Sequence, residues 1–415
     1  MDSSLLNPTL TAVRQARQAS RKLALVSPTV RRQGTIALAR TIEANYNNIL
    51  ETNTLDLEMS REMAVSEVTA DWLKLTPERL EATVSILKQL GKTTDPTQRL
   101  INVPYQVEPG QTYIQPKPLG TIALIYEAFP ELAAIATGMC LKTGNSLILR
   151  GCSTASQTNQ VISHLIKTAL QETELPDSSV EIISPEMGSS IQDLVVRHRD
   201  LDLIIPYGRP SLVQQVAEQA TASVLRTAIG NCYLYWSASG NLNLIRQMIV
   251  ESHQGLPDAV NAIEKILIQS SIKPSSLTSL FNHLQEQGFQ LRGASELVQT
   301  FPDYLQPLNP SEWGRPYMKK IVAFRYADNL PEAVSWINRY SSGHADCLAT
   351  ESYKESRLFA QNVDSALIYI NTSPRFERNR NSGEAVFLGM SNQKGYRQGL
   401  IGLETFTTVK QVVQG

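Results

Sequence analysis

Apolar residues recur at three- and four-residue steps through the first fifth of the chain, as at Val13, Ala16 and Leu23. This spacing is typical of amphipathic helices. Further along, Thr76-Pro77-Glu78 supplies a capping hydroxyl, a proline for the first helical position and an acid for the first turn. The pattern predicts a helical layer over residues 8–89.

Two alternating runs within residues 101–115 flank Pro109-Gly110 and predict a β-hairpin. A lone hairpin is marginally stable in water, so we expect another segment or another subunit to complete it. The last run of the chain, residues 403–413, predicts a strand that pairs with this hairpin.

From Gly120 onward, short apolar runs alternate with helical patterns, which predicts a parallel sheet with right-handed crossovers and ligands at the carboxyl ends of its strands. The predicted strands are 121–126, 146–149, 180–183 and 203–205, and the predicted helices are 131–141, 155–171 and 190–198.

A second α/β unit begins near Gly230. It is predicted to contain strands at 232–236, 320–324, 347–350 and 366–371 and helices at 262–268, 274–287 and 330–339. The polar segment 374–402 predicts an irregular loop over a cleft.

Composition narrows the function classes. The 415 residues are 42% hydrophobic, and 38 Lys and Arg nearly balance 39 Asp and Glu, so the partner is expected to be a small molecule or a protein rather than nucleic acid or a membrane. The four cysteines form no CxxC pair, which predicts a reduced chain without a metal cluster. No basic-then-apolar N-terminal signal and no long apolar run occur in the sequence, so a cytoplasmic location is expected.

Generic motifs assign nothing, because the sequence lacks a P-loop, HExxH, GxSxG and GxGxxG. More specific words occur in a fixed order: Lys117-Pro118-Leu119-Gly120, Tyr126-Glu127-Ala128-Phe129-Pro130, Leu141-Lys142-Thr143-Gly144-Asn145, Asp202-Leu203-Ile204-Ile205-Pro206, Asn261-Ala262-Ile263-Glu264, Ser341-Ser342-Gly343-His344 and Asn371-Thr372-Ser373-Pro374-Arg375. In this order and at these spacings, over roughly residues 8–412, the chain resembles the gamma-glutamyl phosphate reductases (glutamate-5-semialdehyde dehydrogenases) of the aldehyde dehydrogenase superfamily.

The resemblance implies an α/β, aldehyde-dehydrogenase-like fold with two Rossmann-like domains and a β-hairpin oligomerisation flap. Residues 1–235 would form the helical layer and cofactor-type domain, with the hairpin (about 101–118) inserted. Residues 236–370 would form the catalytic-type domain, and residues 371–415 the cleft loop and the C-terminal oligomerisation strand. It further implies a homo-oligomer that acts in proline synthesis on a small-molecule substrate, with NADP(H) as cofactor.

In the family, a cysteine attacks the acyl phosphate, phosphate leaves, and hydride reduces the thioester. The corresponding residue here is Val260, which offers no lone pair and no proton to remove. By resemblance, Asn261 and Glu264 complete the catalytic set, although both also suit the opening of the helix predicted at 262–268. The cofactor-binding candidates are Lys142, Gly144, Ser153 and Gly208, and the substrate-binding candidates are Phe129, His344 and Arg375.

Val260 is one of several departures that replace charged or proton-handling residues. Phe129 stands where the family has arginine, Ser153 where it has a lysine suited to the cofactor phosphate, and Tyr207 where an arginine follows the Ile-Pro word. Leu256 and Phe387 replace an arginine and an acid. These exchanges predict weakened NADP(H) binding, whereas the apolar strands are kept.

Three hypotheses follow. The chain is a catalytically impaired reductase that serves as a scaffold or as a regulatory partner of an intact homologue or of the preceding kinase of proline synthesis. Alternatively, it is an active reductase that uses a relocated thiol, with Cys347 as the candidate, because Cys232, Cys140 and Cys152 are better explained by packing. The third hypothesis is a non-catalytic protein that binds a nucleotide or a glutamate-like ligand.

Overall fold

The structure is a computed structural model that describes residues 8–102, 107, 110–185, 190–255, 258–379, 385–394 and 399–415. Among these residues the contacts group the chain into two units. The first comprises residues up to Thr227 together with 378–388 and 400–415, and the second comprises 228–377 and 389–399. The boundary predicted at residue 235 is therefore wrong, because it would cut through a strand of the second unit's sheet. The predicted third part, 371–415, is divided between both units.

The first unit begins with the predicted helical layer. Its helices are α1 (Pro8–Leu23), α2 (Pro28–Glu43), α3 (Tyr46–Glu62), α4 (Glu67–Leu73) and α5 (Pro77–Lys92). The predicted start signal at Thr76 is confirmed, since its hydroxyl accepts a hydrogen bond from Arg79 N and Pro77 takes the first helical position. Leu80, Val84 and Leu87 of α5 are buried.

The hairpin and its C-terminal partner form a three-stranded antiparallel sheet. Its strands are β1 (Ile101–Asn102), β2 (Gln111–Pro118) and β16 (Thr407–Gln414), in the order β1-β2-β16. The predicted pairing of the C-terminal strand is confirmed, with Thr407 opposite Pro118 and Gln414 opposite Gln111. Residues 403–406 form a 3-10 helix rather than the start of the strand. Pro109 of the predicted turn lies outside the described residues.

The first unit's parallel sheet has the order β5-β4-β3-β6. Its strands are β3 (Thr121–Tyr126), β4 (Ser146–Arg150), β5 (Val180–Ile182) and β6 (Leu203–Tyr207), and its helices are α6 (Glu131–Thr143), α7 (Ser156–Glu172), α8 (Ile191–Val195) and α9 (Pro210–Gln219). All residues of β3, β4 and β6 are buried, as the nearly continuous apolar runs predict for strands covered on both faces.

The second unit is built on a parallel sheet of order β10-β9-β11-β8-β7-β12-β13. Its strands are β7 (Cys232–Trp236), β8 (Ile263–Gln269), β9 (Gln290–Gly293), β10 (Gln306–Pro307), β11 (Ile321–Ala327), β12 (Ala345–Ala349) and β13 (Leu367–Ile370). Its helices are α10 (Leu242–Ser252), α11 (Pro274–Glu286), α12 (Ser295–Thr300), α13 (Leu330–Tyr340) and α14 (Tyr353–Asn362). The C-terminal loop adds the short strands β14 (Met390–Ser391) and β15 (Gly399–Leu400).

One predicted element is wrong. The helix predicted at 262–268 is the strand β8, which pairs with β7 on one side and β11 on the other. Ile263, Ile266 and Leu267 have helical spacing, but a short apolar run buried on both faces fits either element. Strands β7 and β11 pair with β8 on its two edges, and every residue from Ile263 to Ile268 is buried. This central position in the sheet makes the segment a strand rather than a helix.

Candidate active site

Val260 lies at the amino end of β8, in a turn that main-chain hydrogen bonds hold in place. Its carbonyl oxygen accepts from Gly230 N at 2.8 Å and from His344 Nε2 at 2.8 Å. Gly230 precedes β7 and His344 precedes β12, and β7 pairs with both β8 and β12. The three amino ends therefore meet at one edge of the second sheet. The Val260 side chain is fully buried there.

His344 is buried beneath this turn. Its Nδ1 lies 2.9 Å from Ser342 Oγ, and Gly343 enters the strand with φ +73°, which a glycine tolerates. Burial lowers the pKa of His344 to about 4, so the ring is neutral at neutral pH and donates from Nε2 to the Val260 carbonyl. Both ring nitrogens thus have partners within the protein. The substrate-binding role implied for His344 stays a prediction, which these contacts do not favour.

The thiols near the site are buried. Cys232 Sγ lies 3.4 Å from His344 Nε2, and Cys347 belongs to β12 and packs in the core with Leu234 and Trp236. Both side chains are fully buried, and burial raises the pKa of each thiol well above its ordinary value. A protonated, inaccessible thiol is a poor nucleophile. This geometry disfavours Cys347 as a relocated nucleophile.

Glu264 serves the main chain of the second unit. Its carboxylate accepts from Asn231 N at 2.9 Å, Tyr317 N at 2.8 Å and Met318 N at 2.8 Å. Lys265 Nζ lies 3.5 Å from the same carboxylate and 3.7 Å from the centre of the Tyr317 ring. The interpretation of Glu264 as a first-turn helix residue is wrong, because Glu264 lies within β8. Its fully buried carboxylate connects this strand to two loops, one at Asn231 and one at Tyr317 and Met318.

Asn261 connects the turn to the loop that follows β13. Its Nδ2 donates to Pro374 O at 2.9 Å, while its Oδ1 is buried without a hydrogen-bond partner in the described part of the chain. Asn261 does not cap a helix, since β8 follows it. Arg375, directly after Pro374, is exposed and pairs with Glu377 at 3.3 Å. Its Nη1 reaches Gln254 Oε1 only at 3.5 Å.

Two departures from the family pattern contact each other in the first unit. Phe129 stacks on Trp72, with ring centres 4.7 Å apart, and meets the edge of Tyr207 at 5.4 Å. Arg378 Nη2 donates to the Tyr207 hydroxyl at 2.6 Å. Phe129 and Tyr207 are fully buried, so aromatic packing fills the two positions at which the family resemblance implies arginines. The sequence indicates both exchanges but not their contact, because Phe129 follows β3 and Tyr207 is the last residue of β6, far away along the chain.

The carboxyl ends of β3 and β6 hold an ion pair that the sequence did not reveal. Glu127 accepts from Arg209 N at 3.0 Å, from Arg209 Nε at 3.0 Å and from Arg209 Nη2. Gly208 between them has φ +153°, and a Cβ there would lie 2.7 Å from Glu127 Cβ, which explains the glycine. Ser153, exposed after β4, lies at the same edge of the sheet.

Lys142 and Gly144 lie at the other edge of this sheet. Helix α6 ends at Thr143 and β4 begins at Ser146, so both residues lie beside the amino ends of the strands. Dinucleotides bind at the carboxyl ends of such sheets. The structure therefore separates these two candidates from Ser153 and Gly208, and a cofactor role for them is not favoured.

The carboxyl edge fits a dinucleotide only in part. Aldehyde dehydrogenases generally use NAD(P), which would supply hydride chemistry when bound. At this end of the sheet Ser153 would offer its hydroxyl to the dinucleotide, and Gly208 would let the main chain approach it closely. A cofactor phosphate needs a cation, but Arg209 is paired with Glu127 and Arg150 Nη1 donates to Gly151 O at 2.7 Å. Leu256, another departure, lies outside the described residues.

Across the described residues, no cluster of His, Cys, Asp or Glu has the arrangement of a metal site. None of the described helices is long and apolar enough to cross a membrane.

Comparisons with known proteins agree with the fold. A model of the aldehyde dehydrogenase family matches residues 8–286. The chain is 53% identical to gamma-glutamyl phosphate reductase 2 of Synechocystis sp., covering 93% of this chain and 92% of that protein. It is 34% identical to the gamma-glutamyl phosphate reductase of Gloeobacter violaceus, covering 100% and 99%. The crystal structure of gamma-glutamyl phosphate reductase from Thermotoga maritima is similar, with a TM-score of 0.88, 30% identity and 99% of each chain covered.

Proposed function

Because this chain belongs to the gamma-glutamyl phosphate reductase family of the aldehyde dehydrogenases, we propose that it keeps the family's framework without its reduction step and acts as a scaffold or regulatory partner. The observation that carries the proposal is Val260, which stands at the nucleophile position in a turn fixed by Gly230 and His344. Loss of a covalent nucleophile costs on the order of a million-fold in rate where it has been measured in catalytic triads.

The thiol near Val260 in the second unit and two exchanges in the first unit support the proposal. A thioester requires a thiolate, and Cys232, the thiol in contact with His344, is buried and protonated. Phe129 and Tyr207 are buried aromatic side chains at positions where the family resemblance implies cations that would bind anionic groups. The exchanges at Val260, Phe129 and Tyr207 agree with one another, because each replaces a thiol or a cation with an apolar or aromatic side chain. The strands beside these residues remain packed.

An active reductase with Cys347 as nucleophile is the second candidate. Cys347 lies within β12, where its main chain is paired with β7 and β13 and its side chain faces the core. Use of this thiol would require β12 to open, because the side chain is fully buried. We regard this candidate as disfavoured but directly testable.

The test is turnover in the reverse direction, followed as NADP reduction with glutamate semialdehyde and phosphate. We expect no rate above that of a protein-free control. If turnover is found, the Cys347→Ser variant identifies its source, with Cys140→Ser as a matched control on a buried thiol of the first unit. Turnover that Cys347→Ser removes would establish the second candidate and overturn the first.

A non-catalytic ligand-binding protein is the third candidate, and NADPH binding separates it from a pure scaffold. A ligand that binds only the native state stabilises it by mass action, by about 2.7 kcal/mol at a hundred times its dissociation constant. Because Arg209 and Arg150 already have partners, we expect millimolar NADPH to leave the melting temperature nearly unchanged. A shift of several degrees would favour the ligand-binding candidate.

As a scaffold, the chain would act through assembly. The proposed partners are further copies of this chain, an intact homologue or another enzyme of proline synthesis. Co-purification of the tagged chain with the kinase that makes the acyl phosphate tests the last of these, and we expect the two to elute together.

A further inference from the structure

A group of cations surrounds one carboxylate at the amino edge of the first sheet. Arg31 of α2 and Lys142 of α6 are both about 4% exposed, and Asp95 lies just before the 3-10 helix Pro96–Gln98. Asp95 Oδ2 accepts from Arg31 Nη2 at 2.7 Å. Its Oδ1 accepts from Thr97 N at 2.8 Å and Thr97 Oγ1 at 2.7 Å. Both oxygens of the carboxylate are therefore engaged.

Positive charge exceeds negative charge in this group. The charged residues that act on Lys142 are Asp95, Arg31 and Arg32, of which only Asp95 is an acid. Burial lowers the pKa of Lys142 and of Arg31, and Asp95 partly offsets the effect on each. A buried cation is costly unless it is paired, and arginine stays protonated in proteins.

Several donors of the group have no acceptor among the described residues. Arg31 Nε and Nη1 are buried without a hydrogen-bond partner. Lys142 likewise makes no hydrogen bond or ion pair with any part of the chain that the structure describes. Arg31 Nη1 lies against Gly144, where a Cβ would overlap it. The glycine thus leaves room for the guanidinium at this place.

The C-terminus of α6 does not supply the missing acceptors. Arg31 Nε and Nη1 have no partner at this helix end, and two of its carbonyls already accept hydrogen bonds: Cys140 O from Asn145 N at 2.8 Å and Leu141 O from Gly144 N at 3.1 Å. The Thr143 hydroxyl donates to Met139 O at 2.8 Å. The helix dipole offers only about half a negative charge, so it cannot balance two buried cations.

We propose that Arg31, Lys142 and the exposed Arg32 form a binding site for a small phosphate-type oxyanion. The site is separate from the dinucleotide edge, since Gly208 and Glu127 lie at the carboxyl ends of the same sheet. A phosphate group, free or carried by a small metabolite, matches the excess of charged donors. The site is independent of whether the chain catalyses a reaction.

The test is calorimetric titration of the full chain with inorganic phosphate at constant ionic strength. Because a charge-assisted hydrogen bond is stronger than a neutral one, Lys142→Gln is expected to weaken binding about tenfold or more. Arg32→Gln should weaken it several-fold. Lys92→Gln, an exposed lysine at the end of α5, is the matched control and should leave binding unchanged.

Millimolar NADPH should not displace the phosphate, because dinucleotides bind at the carboxyl ends of the strands, on the opposite side of the sheet. If circular dichroism shows that Lys142→Gln does not fold, Arg32→Gln decides, since its side chain is exposed. The proposal is overturned if phosphate gives no binding heat, or if the folded variants bind as the wild type does. Equal affinity for acetate would overturn the assignment to phosphate.

Discussion

At the scale of single residues, the turn before β8 is fixed by main-chain atoms. The Val260 carbonyl holds Gly230 N and His344 Nε2, and neither contact depends on the side chain at position 260. A cysteine at this position would leave both contacts intact. Exchange of a cysteine for valine at this position is therefore compatible with an intact fold, as the proposed loss of the reduction step requires.

Restoring the thiol tests whether the rest of the site survives. Val260→Cys removes about one methyl group from a buried position, so we expect a loss of about 1 kcal/mol in the free energy of unfolding. Turnover should stay at least about 100-fold below that of a reductase with its native cysteine. The reason is that Phe129 and Tyr207 still replace the two cations that the family resemblance implies. Steady-state NADP reduction measures this, with Val250→Cys on α10 as the control. Full turnover would show that the cysteine is the only missing part.

His344 predicts a pH dependence of stability. Its pKa is about 4 in the folded protein, against about 6.5 when unfolded, so the unfolded chain binds the proton first as pH falls. The stabilisation is complete above about pH 6.5 and is lost toward pH 4, on the order of 3 kcal/mol in total. Asp346, whose pKa burial raises to about 7, gives the opposite slope, so the comparison must be made with a variant. Urea unfolding from pH 4 to 7 should show a steeper slope in the wild type than in His344→Gln, and parallel curves would contradict this.

At the scale of elements, the sequence predicts most of the framework. The capped helix α5, the strands of the first sheet and the pairing of β16 with β2 follow from local spacing and turn residues. The strand β8 was missed because Ile263, Ile266 and Leu267 have helical spacing. Only its pairing with β7 and β11 identifies it as a buried strand. Helices α9, α10, α12 and α14 and strands β9 and β10 were not predicted.

The site was harder to predict than the fold. The resemblance located Val260, Asn261 and Glu264 in the chain, and the structure connects Asn261 to Pro374 and Glu264 to Tyr317. Such contacts join loops that are distant in sequence, so no local pattern encodes them. The same holds for the Glu127–Arg209 pair. Lys142 matches a family word but lies at the amino edge of its sheet, because a helix of this length returns the chain to that side.

Glu264 allows the role of β8 as an anchor to be measured. Glu264→Gln replaces a buried carboxylate that accepts from three main-chain N–H groups with an amide that opposes some of them with its own donors. We expect a loss of about 3 kcal/mol in the free energy of unfolding, measured by urea denaturation. The control Glu286→Gln, exposed at the end of α11, should change it by less than about 0.5 kcal/mol. Equal effects would mean that the Glu264 carboxylate does not anchor these loops.

At the scale of the whole molecule, the three-stranded sheet β1-β2-β16 predicts self-association. β16 is an edge strand, and Val409 and Val413 on it are 50% and 49% exposed. An exposed apolar edge favours pairing with another chain, and lysine opposes it. Light scattering after size exclusion should show an oligomer for the wild type and a smaller mass for Val409→Lys combined with Val413→Lys. Leu25→Lys, at another exposed apolar residue, should keep the wild-type mass. A monomeric wild type, or an unchanged mass in the double variant, would refute this.

The proposed loss of the reduction step means that this chain forms no covalent acyl intermediate. This is tested most directly by a single turnover in the reverse direction without phosphate, so that any thioester formed would not be released as the acyl phosphate. With a working thiolate, addition to the aldehyde and hydride transfer to NADP would yield a thioester and one NADPH per chain before any product leaves. Rapid mixing of the chain with glutamate semialdehyde and NADP, followed by absorbance and intact mass, measures both. We predict no NADPH burst and no added mass, because Val260 cannot bond to the aldehyde carbon. A burst approaching one NADPH per chain, with a glutamyl group attached to a cysteine, would contradict the account.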